Sequence, residues 1–371
     1  MSNDRINVTR SSMPDFEEFI EELKPVWDSR WLSNRGAASK KFEAMLKEYL
    51  DVEHVYCFAN GHVALEVAID GLFLPKGAEV ITTPYTHVST THSIVRNGLV
   101  PVFVDVEPER YTIDPELVEK AITDKTVAIV ATHVYGFPCD VERLEAIAKE
   151  HNLYVIYDAA HAFGVTYKGK GIGNYGDMAM FSTHATKVFH TIEGGLVTYK
   201  DKDNDKFRPM RKIVNFGFTS HEDIDYIGTN ARMNEFEAVM GICNLRHIDE
   251  EIAKRKIAGD RYWERLDGVK GIILPKPDKN TVWNYAYFPV LFDGYRLDRN
   301  QVQAALDKEN IFARKYFYPI TNEAACYAET YGNANVPISR HAADTVLTLP
   351  MYADLTVEDV DRICDVILKA E

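Results

Sequence analysis

Three groups of residues in this chain could do chemistry, and each follows a short apolar run. The first lies in FSTHATKVFHTIEGG, residues 181–195, where Lys187 stands among small hydroxyl residues and histidines, with Ser182 and His184 before it. A lysine amine placed there could attack a carbonyl once it has lost its charge. The second is Asp158, which closes the run LYVIY and is followed by Ala159, Ala160 and His161. A carboxylate at a buried strand end is costly unless a cation or hydrogen-bond donors meet it. The third is Asn60-Gly61-His62 after VYCF, at the start of a helical pattern. Backbone N–H groups at such a start favour an anion such as phosphate. Each group also has a plainer reading: a solvated lysine, a carboxylate capping a turn, and an Asn-Gly turn before a helix.

One ligand would use all three. Pyridoxal 5'-phosphate has a phosphate that suits a helix terminus and a hydroxyl, an aldehyde that suits a lysine amine, and a ring nitrogen that must stay protonated. Gly61 with Ser182, Lys187, and Asp158 match these needs in turn. The combination, rather than any single residue, favours that cofactor. No GxGxxG follows the first apolar run, which argues against a nicotinamide-dependent enzyme.

These residues need elements to bring them together, and the chain supplies them. From Val55 to Tyr199 the runs VYCF, EVITT, VPVFV, VAIVAT, LYVIY, AMF and LVTY alternate with helical patterns. Several runs are continuous in β-branched residues with no period of two, as in strands covered on both faces. Asp114-Pro115 and Asp140 are helix start signals between them. The alternation reads as a mostly parallel, doubly wound α/β sheet, whose ligands would sit beyond the carboxyl ends of its strands. Residues 1–50 read as an N-terminal helical segment, with helices at Phe16 to Trp27 and Lys40 to Tyr49. Residues 51–234 read as the large domain, 235–266 as one long linking helix, and 267–371 as a smaller C-terminal α+β domain. That last part holds the run VWNYAYFPVLF and a final helix, Thr356 to Ala370.

With 46% hydrophobic and 26% charged residues the chain is an ordinary globular one, and no apolar run is long enough to span a bilayer. The start MSNDRINVTR lacks the hydrophobic segment of a signal peptide, so a cytoplasmic protein is expected. A formal net charge of -14 would repel nucleic acid and anionic membrane surfaces, so an anionic ligand must find local cations. Cys57, Cys139, Cys243, Cys326 and Cys364 show none of the close pairing of zinc or redox motifs and read mainly as buried free thiols, with no metal expected.

The sequence resembles the DegT/DnrJ/StrS family of nucleotide-sugar aminotransferases along nearly its whole length. The likeness is carried by WLSNRG, NGHVALEVAI, TTPYTHVST, VPVFVDV, YDAAHAFGV, FSTHATKVFHTIEGG, NFGF, GTNARMNEFEAVMG, ARKYFYP and LTLPMY. The resemblance implies an aspartate aminotransferase-like fold of type I and a pyridoxal-phosphate enzyme. Lys187 would carry the cofactor and later shuttle a proton, Asp158 would pair with the ring nitrogen, and His161 would lie near the phenolic oxygen. The amides of Gly61 and His62 and the Ser182 hydroxyl would hold the phosphate. Asn230 would reach that phosphate from a second subunit, so a homodimer with shared sites is implied.

His87 stands where the family usually has a larger aromatic stacked on the cofactor, His62 where threonine is frequent, Thr183 where phenylalanine is usual, and His190 where asparagine is common. Thr183 and His190 are the positions where a difference in substrate would first be sought. Certain dehydratases of the family carry histidine in place of the lysine, so Lys187 favours transamination. The segments are most like the group that makes dTDP-4-amino-4,6-dideoxyglucose, which implies glutamate as donor and a dTDP-linked 4-keto-6-deoxy sugar as acceptor, for amino-sugar and surface polysaccharide synthesis. Amination at C3, or dehydration by a lysine-bearing member, are the alternatives. Arg314, Lys315 and Tyr318 of ARKYFYP, with Arg35 and His184, are candidates to meet the substrate; Arg314 and Lys315 could equally border an apolar strand.

Overall fold

The computed structural model describes residues 5–200 and 207–370. All seven apolar runs become strands of one sheet: β1 (His54–Phe58), β2 (Glu79–Thr82), β3 (Val100–Phe103), β4 (Thr126–Thr132), β5 (Tyr154–Asp158), β6 (Met178–Ser182) and β7 (Gly195–Tyr199). Their order is β1-β7-β6-β5-β4-β2-β3, with β7 antiparallel to both neighbours and every other pair parallel. Alternate side chains enter two different cores. Ile129, Ala131, Val155 and Tyr157 pack on one face, while Ala128, Val130, Ile156 and Met180 pack on the other. Both faces are therefore apolar, which is why the sequence shows no period of two.

The helix Glu235–Leu266 runs over the expected span and begins with a capping box between Asn234 and Glu237. A second, antiparallel sheet joins Ile272–Ile273, Phe288–Phe292 and Val346–Leu349. The final helix, Val357–Lys369, is capped by Thr356. The run VWNYAYFPVLF is strand at Val282, which pairs with Thr166, and again from Phe288; between them Trp283 and Asn284 direct their side-chain donors to backbone carbonyls beside the large sheet.

Near the amino end, helix α1 covers Phe16–Ser29 and α2 covers Ala37–Tyr49. The second starts earlier than its sequence suggests. The buried Glu235 carboxylate accepts the backbone N–H of Gly36 (2.8 Å), Ala38 (2.9 Å) and Ser39 (3.2 Å), capping α2 from a distant part of the chain. Ahead of α1, residues 5–12 form a ribbon. Ile6 exchanges backbone hydrogen bonds with Asn310 and Phe312, and the Val8 carbonyl accepts Met351 N. Ser11 Oγ then donates to the Ala185 carbonyl at 2.7 Å, and the Ser12 carbonyl pairs with His190 Nε2.

Candidate active site

The ends of β1, β5 and β6 lie along one edge of the sheet, and the start of β7 fills the gap between two of them. Gly195 pairs with Phe58 on one side and with Ser182 on the other. The helix α3 (Gly61–Asp70) starts here, capped by Asn60 Oδ1 accepting Val63 N at 2.9 Å. Its first N–H groups have no acceptor within the helix. A Cβ added to Gly61 would lie 2.9 Å from Ser182 Cβ, and one on Gly195 would lie 2.7 Å from Gly61 Cα. Glycine at both places lets the helix terminus and the Ser182 hydroxyl share one small cradle.

Asp158 closes β5 and is only 3% exposed. Its carboxylate accepts Thr90 Oγ1 at 2.6 Å and Ala160 N at 3.1 Å. Thr90 lies in α4 (Val88–Arg96), and hydroxyl contacts of 2.9 Å continue from it to Thr86 and on to Thr132. Among the described residues, no lysine or arginine pairs with this buried carboxylate. Its site thus suits a cationic N–H brought by a ligand.

His161 is buried in the turn after β5, and its Nδ1 accepts Tyr135 N at 3.1 Å. That bond leaves the proton of the neutral ring on Nε2. Burial holds the pKa of His161 well below the ordinary histidine value, and the positive charges of Lys187 and His87 lower it further. The ring stacks on Phe317 at 5.7 Å and 5°. His87 meets the same Phe317 ring at 6.4 Å, while its Nδ1 accepts Ser89 N and caps α4.

Lys187 sits on the tight loop between β6 and β7. Thr183 N, Ala185 N and Thr191 N donate across it to the carbonyls of Gly194, Ile192 and Thr183. Its Nζ donates to the Tyr287 hydroxyl at 3.3 Å. Lys187, His161 and Tyr287 line one small hollow. Lysine, aspartate, histidine and the glycine-serine cradle therefore converge on one sheet edge.

A profile of the DegT/DnrJ/EryC1/StrS aminotransferase family matches residues 15–368. The chain belongs to that family.

DegT-family relatives cover it end to end. A dTDP-4-amino-4,6-dideoxy-D-glucose transaminase of Escherichia coli is 40% identical over 99% of both chains. The crystal structure of DesI with its TDP-sugar product has a TM-score of 0.91 at 32% identity, covering 98% of this chain and 92% of that one. A Streptococcus pneumoniae protein solved in its PLP form superposes at 0.89 with 27% identity, over 97% of this chain and 98% of its own. The expected family, fold class and enzyme type all hold: this is an aminotransferase on a mostly parallel α/β sheet.

The side chains of the other residues singled out in this DegT-family sequence have partners other than Lys187 Nζ. The His62 ring turns to α4, with Nδ1 2.8 Å from Ser89 Oγ. His184 is on the lysine loop but faces Thr186 Oγ1 at 2.8 Å and Glu193 at 3.5 Å. Arg35 is paired with Glu43 and stacked 5.1 Å over Tyr56 near the outer edge of the sheet. Asn230 is exposed, and its Oδ1 accepts Arg232 Nη2 at 2.8 Å. Arg314 borders a strand through backbone bonds to Thr348, and Lys315 Nζ donates to Asn300 at 2.6 Å. Tyr318 is 51% exposed beneath the Arg299 guanidinium. Their neighbours Tyr316 and Phe317 are what ARKYFYP brings to the site.

Thr183 and His190 are buried, with partners in and around the lysine loop. Thr183 Oγ1 is 2.7 Å from Thr191 Oγ1 inside the loop, and His190 is held between Ser12 and Asn244. Both serve the shape of the lysine loop. Thr90 and Tyr287 were not singled out from the sequence. Thr90 lies in the first turn of the helix that follows TTPYTH, eight residues beyond the end of β2, so it falls outside the residues directly after each strand. Tyr287 reaches the site from the second sheet, and no local pattern announces it.

Proposed function

We propose that this aminotransferase binds pyridoxal 5'-phosphate and moves an amino group from L-glutamate to the keto group at C4 of a dTDP-linked 4-keto-6-deoxy sugar, in the cytoplasm, as a homodimer. The observation that carries the reading is the buried Asp158 carboxylate, supplied with two donors and, among the described residues, no cation, at the same sheet edge as Lys187. Pyridoxal phosphate supplies an aldehyde that accepts the amino group and a protonated ring that takes up electrons. Asp158 would hold the ring N–H, and His161 Nε2–H would donate to the phenolic oxygen. The N–H groups of Gly61 and His62 and the Ser182 hydroxyl would hold the phosphate, with His87 over the ring. Lys187, once free, would carry a proton between donor or sugar carbon and cofactor.

The sugar class follows the names of the relatives, above all the 40% identical Escherichia coli transaminase. Arg314, Lys315, Tyr318, Arg35 and His184 are retained as substrate candidates in the assembled dimer. The dimer reading is supported by an apolar band beside Asn230. Trp31 (58% exposed), Leu32 (52%), Phe216 (44%) and Ile227 (97%) are uncovered in the single chain. Arg232, which grips Asn230, also reaches Asn34 and Asn215 and lies 5.1 Å over the Phe216 ring, so these loops adjoin. A second copy covering this band would present Asn230 to its neighbour. Among the described residues no helix is long and apolar enough to cross a membrane.

The test offers glutamate with a panel of dTDP-, UDP- and GDP-linked keto sugars and identifies the product by NMR. A dTDP sugar aminated at C4 is expected; an amino group at C3, a 3-deoxy product, or turnover confined to UDP or GDP sugars overturns the assignment.

A further inference from the structure

Tyr287 immediately precedes the strand Phe288–Phe292 and lies outside the sheet that carries Lys187. Its hydroxyl nevertheless accepts the hydrogen bond from Lys187 Nζ at 3.3 Å, and Nζ is 5.7 Å from the centre of its ring. No other hydrogen bond or ion pair of this Nζ occurs among the described residues. The ring itself is wedged in place. It meets His161 at 4.6 Å, Tyr316 at 5.5 Å and Tyr135 at 6.4 Å, and the residue is only 7% exposed.

The segment that delivers Tyr287 is fastened to the large sheet in turn. Trp283 Nε1 donates to the Tyr135 carbonyl at 2.9 Å, and Asn284 Nδ2 donates to the carbonyls of His161 and Phe163, each at 2.9 Å. Asn284 Oδ1 accepts Ala286 N at 3.1 Å. Gly136 allows this close approach, since a Cβ there would lie 2.7 Å from Asn284 Oδ1.

A free lysine side chain loses rotamer entropy on being fixed. A rigid partner at its tip lowers the part of that cost that recurs whenever the amine is released. A phenol suits the task because it accepts from an ammonium and donates to a free amine, whereas a carboxylate would favour the ammonium alone. We infer that Tyr287 is the positioning residue of Lys187, holding its amine in both protonation states while it is not covalently engaged. The inference rests on Lys187 being the lysine that carries the cofactor. The charged and titratable groups that bear on the pair are His87 from α4, Asp158 at the end of β5, His161 in the turn after it, Tyr135 and Tyr316 against the ring, and Arg255 from the long helix.

Tyr287→Phe keeps the ring and removes the hydroxyl. In cofactor-free enzyme, reductive methylation by formaldehyde and cyanoborohydride is followed against pH and read lysine by lysine through peptide mass spectrometry. The Lys187 midpoint is expected to move to lower pH, because the bond lost by its ammonium is stronger than the one lost by its free amine, while other lysines stay put. In loaded enzyme kcat is expected to fall about tenfold or more, the worth of a hydrogen bond to a charged group, with KM little changed. A Lys187 midpoint or a kcat left at the parent value overturns the inference. Should the phenylalanine variant not fold, 3-fluorotyrosine at position 287 keeps the shape and changes the acidity, and an unmoved Lys187 midpoint then overturns it. Borohydride trapping of the loaded parent separates the two failures. Cofactor fixed on another lysine would sink the reading of the site, while cofactor on Lys187 with an unmoved Tyr287→Phe profile would sink only the role of Tyr287.

Discussion

The Thr90 hydroxyl donates a 2.6 Å hydrogen bond to the Asp158 carboxylate, tying the first turn of α4 to the end of β5 across 68 residues of sequence. The bond fixes which way the carboxylate faces. Thr90→Val should therefore weaken cofactor binding about tenfold, as for one lost hydrogen bond to a charge, while Thr90→Ser should stay near the parent. Asp158→Asn should go further and cut turnover about a hundredfold or more, since an amide cannot hold a ring nitrogen protonated. Absorbance titration with pyridoxal phosphate and steady-state kinetics measure the two effects. Parent-like binding by Thr90→Val would show the bond to be incidental.

A second consequence concerns acid stability. His133 is fully enclosed, with Nδ1 accepting Cys139 N at 3.1 Å and its ring stacked on Tyr157, and burial pushes its pKa down to about 3. The unfolded chain binds a proton near pH 6.5 and the folded chain does not. Stability is therefore complete above that pH and falls below it by about 1.4 kcal/mol per pH unit for this one group. His161, also depressed, adds in the same direction. His133→Asn retains an acceptor for Cys139 N, so between pH 6 and 4 its denaturant-derived stability should decline less steeply by about one proton. Parallel profiles for the two proteins would contradict this.

The strands of the large sheet, the long helix and the residues at three strand ends could be read from the sequence because each rests on local pattern: apolar runs, cap residues, and polar residues directly after a run. Tyr287 could not, since its role depends on Trp283 and Asn284 reaching carbonyls more than a hundred residues away. The inward turn of Thr183 and His190 was hidden for the same reason. Thr183 meets Thr191 across the loop, His190 meets Ser12 and Asn244 on distant segments, and a family comparison at single positions shows a change of residue without its direction.

Glu235 supplies another long-range dependence. Its carboxylate, 1% exposed, meets three backbone N–H groups at the start of α2 and the Ser39 hydroxyl. Glu235→Ala would leave these donors buried without an acceptor and should destabilise the fold by about 3 kcal/mol, whereas Glu235→Gln, which keeps one acceptor oxygen, should lose less. Chemical denaturation distinguishes them. Equal stability of parent and alanine variant would mean that water replaces the cap.

Ile227 is 97% exposed within the apolar band beside Asn230. If that band is the dimer surface, Ile227→Asp places a charge in it and should shift the protein toward monomer in light-scattering measurements and lower activity with it. A parent-like mass would move the interface elsewhere.

The ribbon of residues 5–12 links places that differ greatly in function. Within a few residues it goes from backbone pairing with Asn310, Phe312 and Met351 to side-chain and carbonyl contacts with Ala185 and His190, on the loop that presents Lys187. Choice of affinity tag is therefore not neutral for this enzyme. A bulky fusion before the ribbon would be joined, through Ser11 and Ser12, to residues of the lysine loop itself.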